Sequence, residues 1–115
     1  MLRLNVHGLP PTGGGPPLPS ELVPVGNPFT GTDPWSPLVF CYGLRNPFRF
    51  EIDAQYGLMI SDVGENTWEE MNIAVGGENF GWPWFEGPQP YMNCPGPMPA
   101  NLVPPLIAES HFGPI

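Results

Sequence analysis

The sequence predicts an all-β fold of short strands and many turns, and three observations carry that prediction. Fifteen Gly and 19 Pro among 115 residues leave few windows in which a long helix could form, because each of them opposes helix propagation. Four Trp, seven Phe and three Tyr are apolar payload that a disordered chain would not hold. Six segments of four to seven residues, rich in β-branched and aromatic side chains, are bounded by Gly, Pro or Asn, as strands are.

The predicted strands are 2–6, 38–43, 48–53, 58–63, 69–75 and 106–110. In Phe48-Arg49-Phe50-Glu51-Ile52-Asp53 the apolar and polar residues alternate, so one face is expected to cover a core and the other to meet water. Ala54-Gln55-Tyr56-Gly57 then suits a hairpin turn, with Gly57 supplying positive φ. Between the first two predicted strands, residues 8–37 read as one long surface loop, holding Gly13-Gly14-Gly15-Pro16-Pro17. Residues 76–105 are irregular too, but Phe80, Trp82, Trp84 and Phe85 require part of that stretch to bury apolar area. Segments 48–53, 58–63 and 69–75 follow one another with short turns, which predicts an antiparallel meander. One small sheet cannot hide both of its faces. One sheet per about 40–50 residues, needing neighbours to cover it, is the signature of a β-propeller blade. The chain is expected to be about one blade plus the outer strands of the preceding blade, taken from a larger protein whose remaining blades close the fold.

Composition excludes several functions. Arg3, Arg45 and Arg49 are the only strong cations against eleven Asp and Glu, a net charge of −8. That balance argues against nucleic-acid and anionic-membrane partners. The lack of Lys removes a Walker phosphate loop and a lysine Schiff base. No run approaches the ~18 apolar residues of a membrane span, and the interrupted start Met1-Leu2-Arg3-Leu4-Asn5-Val6 does not read as a signal peptide. Cys41 and Cys94 are too few for a disulfide framework and lack the clustered histidines of a zinc site. A bond between them is compatible with export, and spacing alone does not decide it. His7 and His111 stand apart from any group expected to orient an imidazole.

Three patches carry chemistry. In Tyr42-Gly43-Leu44-Arg45-Asn46-Pro47-Phe48-Arg49-Phe50, Pro47 forces Asn46 into an extended conformation. Arg45 and Asn46 therefore belong to the lip of a strand. There the Arg45 fork suits a flat anionic ligand, and the Asn46 amide can donate and accept. The same Arg45 could instead pair with a carboxylate such as Asp62 and merely hold the turn. In Ser61-Asp62-Val63-Gly64-Glu65-Asn66-Thr67-Trp68-Glu69-Glu70-Met71-Asn72 oxygen ligands are dense, which suits a hard cation such as Ca²⁺ without matching an EF-hand. Gly64 is expected to let the backbone turn its carbonyls toward one point, and the adjacent Glu69 and Glu70 face opposite sides of a strand. In the third patch, residues 76–87, glycines make turns and aromatics plug the sheet margin.

These patches, in this order and spacing, resemble the glucose/sorbosone dehydrogenase family, the soluble quinoprotein sugar dehydrogenases together with Hedgehog-interacting-protein-like relatives. The resemblance rests on Gly43-Leu44-Arg45-Asn46-Pro47-Phe48-Arg49-Phe50, on residues 60–72, on Gly77-Glu78-Asn79-Phe80-Gly81-Trp82-Pro83 and on Glu86-Gly87. It extends to residues 2–8 and to Asn27-Pro28-Phe29. It implies a six-bladed β-propeller that binds pyrroloquinoline quinone (PQQ) with Ca²⁺ and oxidises an aldose at its anomeric carbon. Arg45 and Asn46 are then the quinone contacts, and the carbonyls of Gly64 and Glu65 the calcium ligands. The resemblance assigns no catalytic residue to this chain, so the chain alone is expected not to turn over. The implied partners are a sugar and an electron acceptor, and the implied location is the periplasm or the exterior. The competing expectation is a non-catalytic extracellular propeller that serves as an interaction module.

Overall fold

The computed structural model describes residues 1–9, 13–92 and 94–113, so residues 10–12 of the 8–37 loop and Asn93 lie outside the described residues. The chain divides into two compact units, residues 1–40 and 41–115.

In the first unit the expected strands fail to form. Segments 2–6 and 38–43 meet only at an isolated antiparallel bridge, Leu2 with Val39. A bridge cannot propagate when the flanking amides find other acceptors. The Asn5 amide donates to Leu22 at 2.8 Å and the Leu38 amide to Trp35 at 2.9 Å, at a short 3-10 helix, Ser36–Leu38. Asn27 takes over the organising role. Its Oδ1 accepts from Arg3 Nε at 2.6 Å, while its Nδ2 donates to the carbonyls of Arg3 and Pro37 at 3.2 and 2.7 Å. The Arg3 guanidinium adds the Val25 carbonyl at 3.1 Å and lies 4.8 Å from the Phe40 ring centroid. Residues 8–37 contain a second 3-10 turn, Pro19–Leu22, and their described residues are mostly exposed.

The second unit holds the sheet. Strands β1 (Pro47–Asp53), β2 (Gly57–Val63) and β3 (Trp68–Ala74) form the expected antiparallel meander, and β6 (Ile107–Ser110) adds to the far side of β3. Between them, β4 (Phe85–Glu86) and β5 (Gln89–Pro90) make a two-residue ladder that no hydrophobic alternation announces. The β1–β2 turn closes on Asp53, whose Oδ1 accepts from the Gln55 and Tyr56 amides at 2.7 and 2.8 Å, and Gly57 has φ +89° as expected. Phe50 pairs with Ile60, and Ile60 with Asn72, across β1, β2 and β3. On that face Ile60, Asn72 and Ala74 are fully buried.

One expectation about β1 is overturned. Phe48, Phe50 and Ile52 cover no core: they are 66%, 62% and 78% exposed. The alternation is present, but the apolar side of the outer strand is exposed. No disulfide joins Cys41 and Cys94, and burial pushes the Cys41 thiol above its ordinary pKa.

The three hydrogen bonds of Asn27 predict the effect of Asn27→Ala in the full-length protein. Losing them destabilises residues 1–40 by about 1–3 kcal/mol, read as faster amide exchange across that unit. Unchanged protection there would remove Asn27 as its organiser.

Candidate functional site

The site grows from the residues that precede β1. Gly43 carries φ +74°, and a side chain there would strike Asn79 Oδ1 and approach the Gly81 and Phe80 amides to 2.7 and 2.9 Å. Only glycine fits, on both counts. The chain then reaches Arg45 and Asn46, whose backbone amides both donate to one buried carboxylate. Asp62 Oδ2 accepts from Arg45 at 2.9 Å and Oδ1 from Asn46 at 2.6 Å. The Asn46 carbonyl accepts from the Val63 amide at 3.0 Å, and a β-bulge between Pro47 and Arg49 bends the strand start beside this clamp.

Asp62 therefore holds the turn, though not as the sequence suggested. It binds the backbone, while the guanidinium goes elsewhere. Arg45 Nη1 donates to the Gly64 and Val63 carbonyls at 2.7 and 3.2 Å, and Nε donates to Glu65 Oε2 at 2.6 Å. Nη2 completes an ion pair with the same Glu65 oxygen. The Trp82 ring centroid lies 5.8 Å from the guanidinium carbon, and Trp82 stacks on Tyr91 at 4.9 Å. Arg45, Asn46, Gly64 and Glu65 thus occupy a single lip. Trp82 and Tyr91 were missed, since aromatic density alone reads as packing.

A second carboxylate shapes the turn from β2 to β3. Glu86 is only 4% exposed, and its Oε1 accepts from the Asn66, Thr67 and Trp68 amides at 2.7, 2.8 and 3.2 Å. Gly64 is needed for a reason different from the expected one. Its φ is not positive, but a Cβ there would strike the Trp68 carbonyl and come within 2.6 Å of Glu86 Oε1. Close packing, rather than conformational freedom, selects glycine.

Burial pushes the Asp62 and Glu70 carboxyls above their ordinary values. The Arg45 and Asn46 amides oppose this at Asp62, as Asn72 and the Gly87 amide do at Glu70. Burial acts in the same direction on Glu86, but the amides of Thr67, Asn66, Trp68 and Glu65 outweigh it and hold that carboxyl below the ordinary 4.5. Glu69 and Glu70 diverge as expected. Glu70 turns to the Gly87 amide and Asn72, and Glu69 Oε1 meets His111 Nε2 at 2.7 Å. His111 is accordingly not isolated. Among the described residues no group of three or more His, Cys, Asp and Glu side chains could hold a metal ion.

With this geometry in view, comparison with known proteins is informative. Residues 19–101 match the model of the glucose/sorbosone dehydrogenase family. The chain belongs to that family. The HIPL2 protein of Arabidopsis thaliana is 40% identical over 98 residues, covering 77% of this chain and 14% of its own length. The HIPL1 protein of the same plant is 38% identical over 68 residues, covering 57% and 10%. A solved structure, the PQQ-bound form of an aldose sugar dehydrogenase from Streptomyces coelicolor, superposes with a TM-score of 0.59 at 32% identity, over 80% of this chain and 24% of that one. The chain thus spans a seventh or less of the curated relatives it matches, and its all-β antiparallel fold matches a fragment of that propeller-type structure. No helix among the described residues is long and apolar enough to cross a membrane.

Glu86 sets the acid limit of this turn. A carboxyl with a lowered folded-state pKa stabilises the fold above its ordinary value and loses that contribution as pH falls through the lowered one. Glu86→Gln is therefore expected to destabilise the full-length protein by about 1–2 kcal/mol at pH 7. The difference should shrink below pH 4.5 in denaturant titrations. A gap that stays constant down to pH 2 would contradict the assignment.

Proposed function

We propose that this chain is part of a quinoprotein sugar dehydrogenase, a six-bladed propeller, and that it contributes one lip of the PQQ and calcium site. The observation that carries the reading is the convergence of the Arg45 guanidinium with the Gly64 and Val63 carbonyls beside the flat wall of Trp82. The family membership of residues 19–101 supports it, as does the likeness to a dehydrogenase whose solved form is PQQ-bound.

The residues fit a planar polyanion. A guanidinium presents its donors in a fork that matches carboxylates, and Trp82 limits the approach to a flat guest. Asn46, held by its amide on Asp62, is exposed and free to present its side-chain amide to such a guest. For calcium the ligands would be the Gly64 and Glu65 carbonyls, neutral oxygens of the kind a hard cation accepts. In this structure the Gly64 oxygen already accepts from Arg45, so calcium would have to use that oxygen's second lone pair. Calcium bound there would polarise the quinone carbonyls. The Asp62 clamp fixes where Arg45 starts, and Glu86 with Gly64 fixes the turn that offers the carbonyls. The sugar, the electron acceptor, the catalytic base and the blades that cover Phe50 and Ile52 belong to the rest of a longer protein, in the periplasm or outside the cell.

One observation favours a second reading, a non-catalytic extracellular interaction module. The Arg45 fork is engaged by Glu65, as it would be were the pair purely structural. The two readings separate on the full-length protein supplied with Ca²⁺ and PQQ. The first expects reduction of an artificial electron acceptor with aldoses; silence across a sugar panel supports the second. Arg45→Ala should weaken PQQ binding by about 1.5–3 kcal/mol, the loss of a charged hydrogen bond. An unchanged titration would remove Arg45 from the site.

A further inference from the structure

We infer that Glu65 is a built-in competitor for the anion site, a side chain that occupies the ligand-facing edge of Arg45 and must leave before a carboxylate-bearing planar ligand can bind. The inference rests on the proposed role of Arg45 in binding such a ligand. A guanidinium offers its bidentate fork along two edges. One edge is spent on main chain, since Nη1 donates to the Gly64 and Val63 carbonyls. The other edge, Nε with Nη2, is capped by Glu65 Oε2. A ligand carboxylate would need that second edge, because the first is committed to the β2 end that Glu86 and Gly64 pack in place.

Glu65 is suited to leaving. Its side chain is 41% exposed and that of Arg45 28%, so a displaced carboxylate regains water at once and the pair is screened. Arg45, in contrast, stays. Its backbone amide is fixed on Asp62, its Nη1 on two carbonyls, and its guanidinium lies beside a Trp82 ring that stacks on Tyr91. Tyr91 Oη also accepts from Asn66 Nδ2 at 3.1 Å, which ties this wall to the residue next to Glu65. The cation is preorganised and its resident counter-ion is the mobile member, so the identity of residue 65 sets affinity without contributing a contact to the bound ligand.

The test is a PQQ titration, followed by absorbance or fluorescence at fixed Ca²⁺, of four forms of the full-length protein: wild type, Glu65→Gln, Arg45→Ala and the double variant. Thermal melting establishes that each is folded, and Glu65→Ala stands in should the Gln form fail. Glu65→Gln, which keeps the size and the main-chain carbonyl, is expected to bind PQQ about two- to fivefold more tightly, the worth of a partly exposed ion pair. In the Arg45→Ala background the same change is expected to do nothing. Equal or weaker binding by Glu65→Gln, with Arg45→Ala still impaired, overturns the competitor role and leaves the site reading standing. A gain that persists without Arg45 also overturns it, since general charge repulsion would then be the cause. Arg45→Ala binding like wild type overturns the site reading itself.

Discussion

The structure depends on one buried carboxylate accepting two backbone amides. Asp62 is 4% exposed, and burying its charge without partners would cost several kcal/mol. The Arg45 and Asn46 amides offset that cost, and in doing so they pin the start of β1 to the end of β2. Everything on the lip follows from that pin. The guanidinium starts from a fixed backbone, the β-bulge at Phe48 lies beside it, and Gly64 follows two residues later with its carbonyl turned to the same cation. Glu86 repeats the device one turn on, gathering the amides of residues 66–68. Two buried carboxylates thus set the geometry of the lip.

Much of the second unit was legible because strands announce themselves by composition and spacing. β1, β2, β3 and β6 fall within one residue of expectation at each end. Gly57 sits in the turn the pattern requires. Segments 2–6 and 38–43 look equally strand-like, yet Asn27 takes the Arg3 and Pro37 carbonyls and the 3-10 turn at Ser36 takes the Leu38 amide. Propensity describes what a segment can pair with and is silent about competitors. The β4–β5 ladder is too short to carry any periodicity.

The lip was legible in its residues and less so in its contacts. Arg45, Asn46, Gly64 and Glu65 do come together. That Asp62 binds main chain while Glu65 takes the guanidinium depends on side-chain reach, which residue types alone do not specify. Gly64 shows the same limit: a glycine can be demanded by torsion or by a neighbour, and only the proximity of Trp68 and Glu86 separates the two. The exposed Phe50 and Ile52 are the converse case. Their alternation is the pattern of a half-buried strand, yet the side chains are exposed, because periodicity marks a face and does not supply what covers it.

The most direct test is a crystal structure of the full-length protein grown with saturating PQQ and Ca²⁺. The account predicts the Arg45 and Asn46 amides still on Asp62, the Arg45 guanidinium on a quinone carboxylate, and Glu65 turned out to solvent. A quinone bound elsewhere, with the Arg45–Glu65 pair intact, would contradict it.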